Sequence, residues 1–295
     1  MRNKKNYLVT GGTGFIGAGI CKMLLKLGHK VTILDNNSRG KISRLFKIKK
    51  KIKFIKGDIR DKKKVFNSLK NIDAVIHLAY INGTKFFYEK PDLILDVAVK
   101  GLMNIFDGCI KYKIKELYLA SSSEVYQTPT KIPTDEKEPL KIPNVYNPRY
   151  SYGGGKILTE LMGISYGKRY FKKLVIFRPH NVYGPDMGNE HVIPEFINRF
   201  KKLRGKNFKI QGNGSETRSF IYIDDFVRAF RYILQKGKHL QIYNIGTNEK
   251  VKINILAKKL SKIFNKKIVI KKSKLFKGST KKRLPNINKI KLLGF

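Results

Sequence analysis

The sequence is poor in cysteine, in acidic residues and in long apolar runs, and each shortage excludes a class of protein. Its two cysteines, Cys21 and Cys109, lie in apolar helical patterns, which indicates reduced core thiols in a cytoplasmic protein rather than a disulfide framework. No apolar run approaches the roughly 18–20 residues that span a bilayer, so we expect no membrane span. The basic N-terminus runs directly into the candidate strand Tyr7–Thr10, which argues against a signal peptide.

Acidic residues are scarce enough to leave the chain strongly basic. The 21 Asp and Glu residues stand against 63 Lys and Arg residues, for a formal net charge of +42. Such a charge can reflect a nucleic-acid or membrane-surface partner. The lysines are spread along the whole chain, however, no RNA-binding module is visible, and AT-rich codons for Lys, Asn and Ile would produce the same bias. We therefore expect no nucleic-acid partner, no membrane partner and no metal site, and keep a basic RNA-binding protein as an alternative.

What the chain does have is an alternation of short strand-like runs and helical patterns in its first half. With 295 residues and 41% hydrophobic content it can form one large core, or a large domain with a smaller one appended. The candidate strands are Tyr7–Thr10, Val31–Asp35, Lys53–Lys56, Ala74–Leu78, Glu116–Ala120 and Leu174–Phe177, and the candidate helices are Ile16–Leu27, Asp61–Leu69, Pro91–Tyr112 and Tyr152–Phe171. Because these strands are largely apolar, they suit a parallel sheet buried on both faces.

The alternation changes after about Gly184, where helices prevail. The candidate helices there are Val192–Lys202, Asp224–Gln235 and Ile253–Phe264, with short strands near Phe208–Ile210 and Ile242–Asn244. This pattern indicates a smaller lobe that packs on the carboxyl ends of the sheet. A cleft between the two parts is where an open α/β sheet binds its ligand.

The first strand is followed by a glycine-rich turn, Gly12-x-Gly14-x-x-Gly17, which opens a helix. Small residues there let the backbone approach a pyrophosphate, and the helix N-terminus offers N–H groups to it. We therefore predict an α/β protein with a Rossmann-type doubly wound parallel sheet. Residues 1–183 form a dinucleotide-binding domain, and residues 184–295 form a smaller C-terminal α/β substrate lobe that is interleaved with the first.

Two carboxylates follow the second and third strands, where the adenosine end of a dinucleotide would lie. Asp35 is placed to accept hydrogen bonds from the ribose hydroxyls and to repel a 2′-phosphate, which favours NAD over NADP, although Arg39 lies close by. Asp58 is placed to bind the adenine amine, but a helix-capping turn explains it nearly as well.

A second motif, Tyr152-Gly153-Gly154-Gly155-Lys156, carries the candidate chemistry. Tyr152 and Lys156 are four residues apart, so they share one face of a helix. A nearby ammonium and the nicotinamide charge are expected to lower the pKa of the tyrosine, which can then remove a proton from a substrate hydroxyl. The serines at 121–123 directly follow a strand and supply a hydroxyl to steady the substrate oxygen.

These residues belong to a series that resembles the extended short-chain dehydrogenase/reductases, the group of NAD-dependent nucleotide-sugar epimerases, dehydratases and decarboxylases. The resemblance covers nearly the whole chain. The matching segments are Thr10–Gly17, His77–Ala79, Ser122–Tyr126, Tyr152–Lys156, Arg178–Pro185 and Thr217–Asp225. The resemblance implies an NAD cofactor, a nucleotide-diphosphate sugar substrate and a homodimer built on the helices Pro91–Tyr112 and Tyr152–Phe171.

The resemblance also implies roles for individual residues. Ser122 is the hydroxyl that works with Tyr152 and Lys156, and Glu124 is a candidate acid–base residue. The cofactor residues are expected to be Gly11, Gly14, Phe15, Ile16, Gly17, Asp35, Asp58, Ile59, Leu78 and Ala79, together with Tyr152 and Lys156. The substrate residues are expected to be Ser123, Arg149, Asn181, Arg218 and Arg283.

The chain departs from the family pattern at three places. Gly155 replaces the usual Ser before the catalytic Lys, and a close approach of the nicotinamide or the sugar is one reason to need glycine there. Gln127 stands where relatives usually have Gly. The chain ends at Leu293-Gly294-Phe295, where relatives usually continue into another helix.

The family's reactions share one first step, in which sugar C4 is oxidised to a ketone while NAD is retained. Epimerisation then competes as a hypothesis with elimination or decarboxylation assisted by Glu124. Ser123 stands where thymidine-nucleotide dehydratases have an Asp acid, which argues against that subgroup. Arg149 occupies a position where decarboxylases and the GDP-mannose-type dehydratases also have Arg, and it is placed to hold a carboxylate. Two alternatives remain open at this point: a non-catalytic basic protein that binds RNA, and a net NAD(P)H-dependent reductase.

Overall fold

The computed structural model describes residues 4–275 and 278–295. The strands are β1 (Asn6–Thr10), β2 (Lys30–Asp35), β3 (Ile52–Lys56), β4 (Ala74–His77), β5 (Glu116–Ala120), β6 (Lys173–Pro179), β7 (Val182–Tyr183), β8 (Asn207–Gln211), β9 (Thr217–Arg218), β10 (Ile221–Tyr222), β11 (Gln241–Ile245), β12 (Val251–Lys252) and β13 (Val269–Ser273).

The α-helices are α1 (Phe15–Lys26), α2 (Lys62–Ser68), α3 (Thr84–Glu89), α4 (Pro91–Asp96), α5 (Leu102–Lys111), α6 (Tyr150–Tyr170), α7 (Val192–Lys202), α8 (Ile223–Lys236), α9 (Ile253–Ile263) and α10 (Asn288–Lys291). Short 3₁₀ segments cover Ile42–Lys51 and Ser123–Tyr126, and a π-helical turn, Val97–Gly101, joins α4 to α5. The predicted helix Pro91–Tyr112 is therefore one helical stretch with a π turn in its middle.

Seven parallel strands form the main sheet in the order β11-β6-β5-β4-β1-β2-β3. Successive residues of a strand point to opposite faces, and here both faces are covered. In β1, Val9 packs in the core that α1 and α8 close, whereas Leu8 packs in the core on the α2 and α5 side. The predicted α/β class with a Rossmann-type parallel sheet is confirmed.

The C-terminal part of the chain forms an apolar core of its own and also adds a strand to the main sheet. A separate apolar core forms where α7, α9 and the parallel pair of β8 and β13 meet, around Phe200, Phe208 and Leu260. The chain also returns to the main sheet, because β11 is its edge strand beside β6. The domain boundary at residues 183 and 184 stays a prediction. Within the two described ranges, no helix combines the length and the apolarity needed to cross a bilayer.

Candidate active site

The turn after β1 has a geometry that requires glycine. Gly11 has φ +71°, and a Cβ there would lie 2.8 Å from the backbone nitrogen of Ala79. A Cβ at Gly17 would overlap the carbonyl oxygen of Gly11. Because Gly14 is the N-cap of α1, the free N–H groups of that helix face the same turn. The turn therefore fits the pyrophosphate of a dinucleotide.

Two adjoining cavities, of about 300 and 200 Å³, run along the carboxyl edge of the sheet from this turn. Gly11, Gly14 and Leu78 line both. The larger one is also lined by Phe15, Ile16, Gly17, Ser122, Ser123, Glu124, Tyr152, Lys156, Asn181 and Arg283, and the smaller one by Asp35, Asp58, Ile59 and Ala79. The two cavities thus bring the predicted cofactor and catalytic residues to one cleft.

At the adenosine end, the predicted carboxylates already have protein partners. Asp35 accepts the N–H of Thr13 at 3.0 Å and that of Asn37 at 2.8 Å. Asp58 accepts the backbone N–H of Arg60 at 2.8 Å in a local turn, but the alternative of a helix cap was wrong, because the N-cap of α2 is Asp61. Both carboxylates still line the smaller cavity.

The side chain of Arg39, a residue that counted against the prediction of NAD over NADP, binds two other protein groups. Its guanidinium lies 2.7 Å from Glu190 and stacks 4.8 Å from the ring centre of Phe86. A guanidinium held between a carboxylate and an aromatic ring is less available to a 2′-phosphate. The structure therefore weakens the argument for NADP.

The candidate catalytic hydroxyls meet at the N-terminal end of α6. Ser122 caps the 3₁₀ turn that follows β5, accepting the N–H of Glu124 at 3.2 Å, and it is also hydrogen-bonded to the Tyr152 hydroxyl. Burial raises the pKa of Tyr152 to about 12, although the bond to Ser122 opposes that rise. In the protein alone, desolvation of the phenolate is the largest effect; the expected lowering of this pKa, which depends on the nicotinamide charge as well as on the ammonium, stays a prediction.

Lys156 lies one helical turn from Tyr152 and is buried. Its Nζ donates a hydrogen bond of 2.7 Å to the carbonyl oxygen of Ala120, at the end of β5. Burial lowers the pKa of Lys156 to about 7, and Glu160 acts in the opposite direction. Lys156 is therefore close to losing its charge at neutral pH, so its surroundings decide whether it stays a cation.

Glu124 lies at the centre of the predicted arginine residues. Arg283 Nη1 donates a 2.8 Å hydrogen bond to Glu124 Oε1. Burial alone would raise the pKa of Glu124, but Arg283 and, at greater distance, Arg149 and Arg218 bring it down to about 2. The carboxylate is thus ionised and poorly basic, and three arginines outweigh its single negative charge.

The remaining predicted substrate residues occupy different positions around this cluster. Ser123 is 3% exposed, and Asn181 donates its side-chain N–H to the Ser219 carbonyl oxygen at 2.9 Å. Burial lowers the pKa of Arg218 to about 10, with a further contribution from Arg283. Arg149 and Arg218 do not line either of the two cavities described above. Their charges act on the carboxylate of Glu124 and lower its pKa.

Protein neighbours explain two of the three glycines in the run, and at Gly155 the close approach comes from Tyr80 rather than from the nicotinamide or the sugar. A Cβ at Gly153 would lie 2.5 Å from Nε2 of Gln127, and a Cβ at Gly155 would overlap the hydroxyl of Tyr80. Gln127 has φ +48°, a left-handed conformation that favours glycine, and its side chain donates to the Glu124 carbonyl oxygen at 2.6 Å. Two of the three glycines therefore make room for larger side chains.

Sequence reasoning missed three groups beside the site. Tyr80 and Phe87 enclose Tyr152, with ring centres 5.2 and 5.0 Å from its own. Behind Lys156, the buried Glu160 receives two hydrogen bonds from Arg178, at 2.6 and 2.8 Å. Arg178 begins one of the segments that resemble the family, and Tyr80 directly follows another. The sequence therefore indicated that both positions lie near the site.

Comparisons with known proteins agree with this geometry. The sequence model of the NAD dependent epimerase/dehydratase family matches residues 7–246. The chain is 33% identical to UDP-N-acetyl-alpha-D-glucosaminuronate decarboxylase of Bacillus cytotoxicus, covering 88% of this chain and 80% of that protein. It is 35% identical to a putative UDP-glucose 4-epimerase of Methanocaldococcus jannaschii (84% and 79%), and 32% identical to dTDP-D-glucose 4,6-dehydratase of Dictyostelium discoideum, where it covers 87% of this chain but only 61% of the relative.

Solved structures show the same fold over the whole length. UDP-glucose 4-epimerase of Thermotoga maritima, solved with UDP-glucose, superposes with a TM-score of 0.88 at 28% identity, covering 98% of this chain and 93% of that one. UDP-glucose 4-epimerase of Thermus thermophilus, solved with NAD, gives 0.83 at 25% identity, with coverage of 98% and 93%. These likenesses confirm an enzyme with NAD as its cofactor and count against a non-catalytic RNA-binding protein. The chain belongs to the NAD-dependent epimerase/dehydratase family.

Proposed function

We propose that this enzyme oxidises C4 of a nucleotide-diphosphate sugar to a ketone and then returns the hydride to the opposite face, so that the net reaction is 4-epimerisation. The observation that carries this choice is the Glu124–Arg283 ion pair. A carboxylate with a pKa near 2 is a weak base for a C5 proton. Since Ser123 offers no acid for a leaving hydroxyl at C6, elimination lacks both of its proton carriers.

The site residues have distinct roles in this proposal. Tyr152 takes the proton of the C4 hydroxyl, Ser122 holds the same oxygen, and Lys156 stabilises the phenolate. Gly11, Gly14 and Lys156 would hold the NAD, which would supply the hydride acceptor and a positive charge beside the tyrosine. Because the pKa of Tyr152 is about 12 in the protein alone, the phenolate forms only where these positive charges surround it. Asn181, Arg218 and Arg283 hold the nucleotide diphosphate.

A second candidate reaction, decarboxylation of a nucleotide-linked hexuronic acid, is favoured by the arginine excess around Glu124. The Nε of Arg149 is buried and has no hydrogen-bond partner within the described residues. The negative charge of a carboxylate at C6 of the sugar would be balanced by this excess of arginine around Glu124. Decarboxylation next to a C4 ketone also needs no C5 base, so it is compatible with the low basicity of Glu124.

Product analysis separates these reactions. The purified enzyme is incubated in D₂O with UDP-, GDP-, CDP- and dTDP-hexoses and hexuronic acids, and products are followed by NMR. We expect inversion at C4 without deuterium at C5. Deuterium at C5 would contradict the proposal: without release of CO₂ it would indicate elimination or 5-epimerisation, and with release of CO₂ it would indicate the second candidate, in which C5 takes a solvent proton after the carboxylate leaves. Net consumption of NADH would indicate a reductase.

The role of Tyr152 has its own test. Tyr152→Phe should lower turnover by about 10²–10⁴-fold, the usual value of a general acid–base residue, with NAD binding retained. Tyr166→Phe is the matched control, because that hydroxyl faces the Met103 sulfur on the far part of α6. Turnover above a tenth of wild type in Tyr152→Phe would overturn the mechanism.

We also infer that the enzyme forms a homodimer through α4, the π turn and α6. Three large apolar side chains are exposed there: Leu95 at 43%, Val99 at 41% and Leu161 at 63%. Their burial would offset the repulsion between two strongly basic chains at moderate salt. Leu161→Lys should yield monomers in light scattering, whereas Ile263→Lys, at an exposed position on α9, should not; a wild-type monomer would contradict the inference.

A further inference from the structure

Tyr80 occupies a socket that the glycine run in α6 creates. It follows β4 after two residues, and its hydroxyl lies against Gly155, where any Cβ would overlap it. The Cβ of Ala98, in the π turn, forms the other wall, 2.9 Å from that Cβ position. The hydroxyl is buried and has no hydrogen-bond partner within the described residues. Since an unpartnered buried hydroxyl costs free energy, the ring position must be maintained by other contacts.

Those contacts are with the two candidate catalytic residues on α6. The Nζ of Lys156 lies 3.8 Å from the ring centre of Tyr80, well within the range of a cation–π interaction. The same ring meets Tyr152 edge-on, with a centre-to-centre distance of 5.2 Å and an angle of 89°. One aromatic ring therefore contacts both members of the Tyr–Lys pair.

We propose that Tyr80 is a positioning residue for Lys156: its ring covers the ammonium that also donates to the Ala120 carbonyl, and Gly155 is the socket that admits its hydroxyl. The negative face of the ring favours the charged amine over the neutral one. The inference rests on the proposed function, in which Lys156 must be a cation to stabilise the Tyr152 phenolate.

The other groups that act on Lys156 do not replace this contact. On α6, Glu160 favours the cation, but it is held by Arg178 and Ser121. On β4, His77 is buried with its ring nitrogen 2.8 Å from Thr10, and burial keeps its pKa far below the usual range, so it stays neutral. On β5, Ala120 contributes only a carbonyl dipole. Tyr80 thus supplies the remaining stabilisation of the charge.

A pair of variants separates the effect of the aromatic face of Tyr80 from the effect of its bulk. Tyr80→Phe keeps the aromatic face and removes the unpartnered hydroxyl, whereas Tyr80→Leu keeps apolar bulk and removes the face. We expect Tyr80→Leu to lower the pKa of Lys156 by about 0.5 to 1, and kcat at pH 8 by about three- to tenfold, through a shift of the alkaline limb to lower pH. Tyr80→Phe should keep the wild-type pH profile. Equal profiles for all three proteins, or equal shifts in both variants, would overturn the inference.

The socket has a separate test with its own control. Gly155→Ala should displace the ring and reproduce the pH shift of Tyr80→Leu, and adding Tyr80→Phe should restore the profile in part, because the overlapping oxygen is gone. Gly154→Ala is the matched control, since a Cβ there meets only the end of Ile142, at 3.3 Å. Absence of any rescue in the double variant, or the same shift in Gly154→Ala, would contradict the socket.

A readout that needs no turnover distinguishes failure of this inference from failure of the proposed function. The rate of acetylation of Lys156 by trace acetic anhydride, measured against pH by mass spectrometry of the peptide, reports its pKa directly. A lower pKa in Tyr80→Leu than in Tyr80→Phe supports the inference even if none of the sugars tested is a substrate. Active enzyme with an unchanged pKa in Tyr80→Leu would overturn the inference and leave the proposed function intact.

Discussion

Two pairs of glutamate and arginine differ in their setting: Glu160 and Arg178 are buried in the protein, whereas Glu124 and Arg283 lie at the wall of a cavity. Glu160 and Arg178 make a two-point contact, and their side chains are 4% and 2% exposed. Glu124 and Arg283 share one contact of 2.8 Å at the wall of the larger cavity, where their side chains are 19% and 8% exposed.

The difference is in which groups are left for a ligand. Glu160 also accepts the Ser121 hydroxyl, and Arg178 also donates to Tyr126 at 2.6 Å, so the first pair is fully engaged with protein. In the second pair, the Nε of Arg283 has no hydrogen-bond partner within the described part of the chain. The same two residue types therefore stabilise the fold in one place and line the larger cavity in the other.

The largest effect should come from breaking the buried pair of Glu160 and Arg178. Glu160→Gln leaves the Arg178 cation buried without its counter-charge, which should lower the free energy of unfolding by about 3–5 kcal/mol. Urea unfolding followed by circular dichroism measures the change. The matched variant Glu124→Gln should lose only about 1–3 kcal/mol. Equal losses in the two variants would remove the distinction between the pairs.

A smaller effect, on catalysis, is expected from a substitution in the cavity-facing pair, Glu124 and Arg283. Glu124→Gln should lower kcat by less than about tenfold, because a C4 epimerisation does not use this carboxylate as a base, whereas loss of a true general base costs about 10²–10⁴-fold. Steady-state kinetics with the best sugar nucleotide found by NMR measures it. A loss above a hundredfold would make Glu124 a proton carrier and favour elimination.

The cavity-facing pair should also give the protein an acid-sensitive stability. The pKa of Glu124 falls from 4.5 to about 2 on folding, so the pair contributes its full stability above pH 4.5 and loses it as the pH falls toward 2. In Glu124→Gln, the free energy of unfolding should change less with pH in this window than in the wild-type protein. Parallel curves for the two proteins would show that the carboxylate is not stabilised by Arg283.

The smallest effect is expected from a third, more open pair. Arg39 and Glu190 are 2.7 Å apart, with side chains 27% and 31% exposed. Arg39→Ala should change the free energy of unfolding by less than about 1 kcal/mol. Calorimetric titration should also show little change in the preference for NAD over NADP, since Asp35 remains. A marked loss of NADP affinity would mean that Arg39 leaves Glu190 to bind the 2′-phosphate.

The parts of the site that could be predicted from sequence are those made by neighbours along the chain. The glycine turn lies between one strand and one helix, and Tyr152 and Lys156 are one helical turn apart, so local geometry places each set. The apolar run Leu174–Phe177 is also a local pattern; it was predicted as a strand and lies within β6. The alternation of strands and helices then required a parallel sheet with its ligand at the carboxyl edge.

Only the tertiary structure decided which distant residues meet. Arg283 pairs with Glu124 from 159 residues away, and this contact turns a candidate base into an ionised carboxylate of low basicity. Tyr80 reaches Gly155 from the segment that follows β4, so the glycine makes room for a side chain that is distant in sequence. The sequence by itself determined the α/β fold and the NAD cofactor and predicted the residues that carry the chemistry, because these depend mainly on patterns that are local along the chain. Packing decided their pKa values and partners, because burial and charge depend on side chains that only the folded chain brings together.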